Sequence, residues 1–142
     1  VTRDEVLQRW ESMTPRERDA WVAEAVLGCN VFAERWVSGT RYRCDCGGAN
    51  SAGPRPHGEG VFGYIKHYTT DMAAAWAVAE KHNLIVFPRM TKPGWCSAPF
   101  YQTLGNAMGR GFVEFIMSEG AKRDTAPEAI CLAAILAEVE MS

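Results

Sequence analysis

An α+β fold, built as an α/β/α sandwich around a small and largely antiparallel sheet, is predicted by three observations. Helix-start signals stand near the beginning, the middle and the end of the chain: Thr14-Pro15-Arg16-Glu17, Thr70-Asp71 and Thr125-Ala126-Pro127-Glu128. Short apolar or alternating runs with strand character lie between them. The 142 residues suffice for one domain with a real core, and at 47% apolar and 23% charged they exclude wholesale disorder. Helix first, strands and a helix in the middle, and helix last give the layers.

The first segment carries two helical stretches. Asp4 to Glu11 reads as a short turn with Leu7 and Trp10 three apart. Thr14-Pro15-Arg16-Glu17 is a capping box with proline at the first helical position. Its helix runs to about Leu27, with Trp21, Val22, Ala25 and Val26 on the inner side, and Gly28 ends it. Asn30 to Trp36 then reads as extended.

Ser38 to Gly63 holds seven of the thirteen glycines, with Pro54 and Pro56, and few core-forming residues. It reads as an inserted loop, or a hairpin with an enlarged tip running from Arg41–Cys44 into Val61–Ile65. Insertions of that length in a compact domain are commonly functional or disordered.

The central helix is the clearest structural statement. Thr70 is placed to cap it, and Asp71 puts negative charge at the positive end of its dipole. Met72, Ala75, Trp76 and Ala79 fall at steps of three and four, which predicts a core-facing stripe. Trp76 is therefore expected to be buried with Ile130, Ala134 and Phe115. Leu84 to Phe87 is a short buried strand ended by Pro88, and Met90 to Gly94 is a turn. Trp95–Leu104 and Gly111–Met117 read as further strands, and Ser118–Asp124 as a polar connection. From Ala129 to Ala137 the last helix is apolar nearly all round, which requires burial on more than one side.

Net charge is −2, which disfavours a broad electrostatic commitment to long nucleic acid or an anionic membrane. No apolar run approaches membrane-spanning length, and the polar opening Val1–Glu5 does not read as a signal peptide. The five cysteines are odd in number and Cys131 lies in an apolar helical pattern, so reduced thiols are expected.

Three segments together resemble the phage ABA sandwich family: Ala20–Gly28, Tyr68–Trp76 and Thr125–Ala134. The resemblance implies an α-β-α sandwich, a phage origin and hence the host cytoplasm. It carries no catalytic residues, and its matched positions are capping and packing positions. Cys29 after Gly28 and the 38–63 insert depart from the family pattern.

Four constellations compete with ordinary structural roles. Cys44-Asp45-Cys46 on a glycine-rich turn is half of a metal knuckle, with His57, Cys29 and Cys96 as scattered further donors. A closed site needs four ligands, so an ordinary turn is favoured over metal. His67-Tyr68-Thr69 matches one element of two-histidine phosphoesterases, but the second element is missing at His57 and His82. Gly105-x-x-x-Gly109-Arg110-Gly111 lacks the Gly-Lys-Ser/Thr ending of a P-loop. Finally, arginines and aromatic residues are plentiful on the predicted strands and turns. Arg41, Arg43, Arg89 and Arg110, with Trp95 and Tyr101, could grip phosphate and stack on a base.

These features favour a binding protein over an enzyme, with no cofactor. The leading expectation is a phage protein that sequesters a small, cyclic or modified, nucleotide signal of host defence, as a homo-oligomer. The alternatives are a protein-binding inhibitor of a host defence enzyme, and a metal-binding protein using Cys44, Cys46 and His57.

Overall fold

The computed structural model describes residues 2–44, 58–59, 64–89, 92–99 and 121–141. Two helices open the chain, α1 (Arg3–Ser12) and α2 (Pro15–Ala25), each begun by a complete capping box, at Thr2/Glu5 and Thr14/Glu17. Thus the first stretch is a full helix with Val6 and Trp10 buried, longer than the turn expected from its sequence. Helix α2 ends short of Leu27, and Gly28 follows at φ +72°, a conformation that glycine adopts without a Cβ clash. Its inner side is Asp19, Ala20, Val22, Ala23 and Val26, while Trp21 is half-buried against Trp10.

Strands β1 (Val31–Trp36) and β2 (Gly39–Cys44) form an antiparallel hairpin joined through Val37-Ser38. Two short strands, β3 (Gly58–Glu59) and β4 (Tyr64–Ile65), complete a sheet in the order β1-β2-β4-β3. The part of the 38–63 insert that is described is therefore sheet, with Arg43 paired to Tyr64. The rest of that insert lies outside the described residues.

Helix α3 (Met72–Lys81) corrects two expectations. Its N-cap is Asp71, whose carboxylate accepts from the Ala73 amide at 3.0 Å, because the turn over Tyr68–Thr70 holds Thr70 one residue too early. Its buried face is Ala74, Ala75, Val78 and Ala79, and Trp76 stands 53% exposed with Met72 at 42%. The small residues turn inward because α3 packs on α4 (Ala126–Met141) and on β5 (Leu84–Pro88), where a close approach suits alanine. The indole is left at the rim. Phe115, its expected neighbour, lies outside the described residues.

A second sheet, in the order β5-β6-β7, joins β5 to β6 (Trp95–Pro99) and β7 (Ala121–Arg123), all antiparallel. The polar connection expected over 118–124 thus contains a strand, since Ala121 packs into the core while Lys122 and Arg123 complete the sheet. The second strand expected at Gly111–Met117 and the end of the first lie outside the described residues.

Helix α4 is the hub. Every residue from Ala129 to Ala137 is buried, as its all-round apolar character requires. It packs against the other three described helices and the three described strands of the second sheet. Helix α2 in turn packs on β1, β2 and β4 of the first sheet. The result is an α+β sandwich whose strands are divided between two small antiparallel sheets.

Trp10 is the buried tryptophan of this core. Its indole N–H donates to Glu128 Oε1 at 3.1 Å, and Arg18 bonds the same oxygen at 3.0 Å and the Trp10 carbonyl at 2.8 Å. Glu128, from the helix-start signal at the head of α4, thereby ties α1 and α2 to α4.

Candidate anion-binding cleft

On the hairpin, Phe32, Glu34 and Trp36 of β1 lie opposite Arg43, Arg41 and Gly39 of β2, so all share one sheet face. The opposite face includes Cys44, which is fully buried toward α2. The shared face is the outer one, with Phe32 and Trp36 exposed. The Arg41 guanidinium sits 4.6 Å over the Trp36 ring and 5.8 Å from that of Tyr64. Arg43 lies 5.4 Å over Tyr64 and is fixed by Glu34 at 2.7 Å. Glu34 also accepts from the Trp36 indole at 3.2 Å. That bond to Arg43 holds the Glu34 carboxyl below the usual carboxylate range, so it is charged when the face is formed.

Beside this ladder opens a cleft of about 400 Å³, lined by Arg16, Ser38, Gly39, Thr40, Arg41, Tyr64 and His67. Arg16 reaches it from α2 because three acceptors pin its guanidinium: Asp19 at 2.9 Å, the Ile65 carbonyl at 2.9 Å and the Lys66 carbonyl at 3.2 Å. Asp19, 1% exposed, also accepts from the amide and hydroxyl of Thr69 at 2.8 and 2.7 Å. A buried carboxylate therefore clamps α2 to the segment Ile65–Thr69 that carries His67. Arg41 makes no ion pair among the described residues, so its charge is offered to solvent. Gly39, at φ +130° with open space where a Cβ would stand, keeps the hairpin end low at the rim.

Of the six residues singled out from the sequence, the four that are described separate in space. Arg41 and Arg43 are neighbours on the outer face of the first sheet. Arg89 follows β5 and Trp95 opens β6 of the second, where the Arg89 amide donates to the Gly94 carbonyl at 3.0 Å. Tyr101 and Arg110 lie outside the described residues. Sequence reasoning missed Arg16 and His67 as cleft residues. Arg16 read only as part of a cap, and its approach to residues 65 and 66, about fifty positions away in sequence, has no local signature.

For metal, Cys44 is fully buried, and Cys46 and His57 lie outside the described residues. Among the described residues no three His, Cys, Asp or Glu side chains converge as a metal site. None of the described helices is long and apolar enough to cross a membrane.

Two antiparallel sheets packed with four described helices make an α+β sandwich, with an arginine-aromatic cleft beside the outer face of one sheet. The chain belongs to the phage ABA sandwich domain family, whose model matches residues 20–135. The match begins within α2, runs through most of α4 and includes the cleft-lining residues other than Arg16. No curated protein and no solved structure matches the chain.

Proposed function

We propose that this phage protein binds without catalysing, and that it captures a small anionic nucleotide in the cleft of Arg16, Arg41, Tyr64 and His67. The observation that carries the reading is Arg41: an arginine held over two aromatic rings at the mouth of a cleft, with no carboxylate paired to it among the described residues. A guanidinium so placed can take a phosphate bidentately, and Tyr64 in the cleft lining supplies an aromatic ring beside it for a base. The volume suits a ligand of nucleotide size rather than a polymer. In the cytoplasm of a phage host, such binding would lower the free concentration of a nucleotide signal used in defence.

Calorimetry against cyclic mono-, di- and trinucleotides and ADP-ribose-type compounds tests this. Binding of one class without turnover, weakened by Arg41→Ala, supports it. Absence of binding by the whole panel and of any copurified small molecule refutes it. Turnover of a bound compound would make the protein an enzyme.

A second reading, inhibition of a host defence protein by direct contact, is favoured by a separate observation. Met72 and Trp76 are exposed one helical turn apart on α3, a compact apolar pair of the kind that anchors protein interfaces.

A further inference from the structure

Strand β1 is terminal in the order β1-β2-β4-β3, so among the described residues its outer edge carries no neighbour. Its charges are Glu34, which Arg43 holds on the sheet face, and Arg35. Its six residues, Val31-Phe32-Ala33-Glu34-Arg35-Trp36, pair with β2 in unbroken register, without a bulge, and contain neither proline nor lysine. Phe32 is 43% exposed and Trp36 50%, and Val37 beyond them is fully exposed. Proteins that stay monomeric blunt such an edge.

The register identifies what fits it. The two-residue loop Val37-Ser38 makes Trp36–Gly39 the hydrogen-bonded closing pair of the hairpin. Pairs alternate from there, so Glu34 and Phe32 direct their backbone groups toward β2. The outward amides and carbonyls are those of Val31, Ala33 and Arg35. If two copies of β1 pair antiparallel about a two-fold axis normal to the sheet, facing residues must lie on one face. A two-fold centred on Glu34 meets that condition and also sets Phe32 opposite the partner's Trp36, twice. It joins Ala33 to the partner's Arg35 through backbone bonds, in the positions where the outward groups stand. Centring on Ala33 or Arg35 instead sets an exposed aromatic residue opposite the partner's Glu34. The two Glu34 carboxylates that meet at the axis are each bound by Arg43 at 2.7 Å and lie near Arg41, so guanidinium charge surrounds them.

From this we propose that the chain forms a two-fold dimer through β1, centred on Glu34, which continues the first sheet across both copies. The partner's Phe32 then covers the outer side of Trp36, and both Arg41 clefts open on one continuous face. An apolar or peptide partner could use the same edge, but the aromatic pairing and the outward backbone groups are satisfied by a second copy of the same strand.

The test uses the full chain without ligand, so its result is independent of the nucleotide reading. Sedimentation should give a dimer for the wild type and a monomer for Ala33→Pro. The Ala33 amide faces away from β2, so its loss spares the hairpin, and an unchanged circular dichroism spectrum and urea midpoint show that it has. Phe32→Lys, which places an edge-blocking charge, should also give a monomer. Glu34→Cys, in a Cys46→Ser background, should yield under mild oxidation a covalent dimer joined through position 34. Facing residues of a non-hydrogen-bonded pair are close enough for a disulfide. A wild-type protein that is monomeric at every concentration, or a dimer that survives Ala33→Pro in a folded protein, overturns the proposal. A dimer that forms no link through position 34 overturns its register.

Discussion

Arg43 Nη1 donates to Glu34 Oε1 at 2.7 Å along the diagonal of the β1–β2 ladder, linking the direct pairs Glu34–Arg41 and Phe32–Arg43, which stand two residues apart on one face. The diagonal leaves the directly facing arginine over the aromatic rings. One acidic residue thus divides two arginines into a fixed one and an available one.

The same contact has a pH signature. Because Arg43 holds the folded-state carboxyl of Glu34 below its ordinary value, the unfolded chain binds this proton more readily. The stabilisation is therefore fully present above the ordinary carboxylate pKa of about 4.3 and is lost as pH falls through the lower folded value. A carboxyl titration followed by NMR should place Glu34 below the reference glutamate. Glu34→Gln should abolish that part of the acid dependence. A reference-like titration of Glu34 would mean that the pair is not formed in solution.

Arg41 and Arg89 should separate by mutation. If the cleft holds a phosphate, Arg41→Ala should weaken binding by on the order of 2–5 kcal/mol, since a desolvated charge pair is broken. Arg89→Ala, in the other sheet, should leave the affinity unchanged and serves as the control. Calorimetry of both variants against the ligand that the wild type binds decides the matter. Equal losses would place the site elsewhere or across both sheets.

Trp76→Ala should cost less than about 1 kcal/mol, because an indole that is 53% exposed leaves no core cavity behind. Trp10→Ala should cost about 3–5 kcal/mol, as that indole is fully buried and bonded to Glu128. Urea unfolding of the two variants gives the comparison directly, and reversed magnitudes would refute the packing described here.

Asp19→Ala should cost roughly 3–5 kcal/mol, because it strands the donors of Thr69 and Arg16 around a buried position. It should also release Arg16 from the cleft. Asp19→Asn keeps the volume and one acceptor oxygen, and should lose less. Urea midpoints report the stability, and hydrogen exchange at Thr69 reports the clamp.

Cys131 should resist alkylation until the protein unfolds. Burial pushes its thiol well above the ordinary range, with Asp19 and Glu128 adding to the effect, and its Sγ donates to the Tyr68 carbonyl at 3.3 Å. Timed iodoacetamide labelling with peptide mapping should show modification of Cys131 to follow the global unfolding rate. Rapid labelling in native buffer would mean that α4 opens locally.

What the sequence determined by itself was local. The capping box at Thr14, the stop at Gly28, the strand Leu84–Pro88 and the all-round burial of Ala129–Ala137 follow from propensity, hydrogen-bonding chemistry and periodicity within a few residues. The three segments that resemble the phage ABA sandwich family are of this kind, and they sufficed for family and class. The tertiary structure decided what depends on distant partners. On α3 either of two adjacent stripes was apolar enough to face inward. The need for close approach to α4 chose the alanines and Val78 and left Trp76 outside. Lys122 and Arg123 read as polar connection, yet pairing with β6 satisfies their backbone, a gain that no local pattern records. The cleft is the same case. Arg16, Arg41 and His67 come from three separate stretches, and what brings them together is the sheet register and the buried Asp19–Thr69 clamp. Hydrophobic period and capping chemistry act over one or two turns, whereas a site of this kind is made by contacts between elements far apart in the chain.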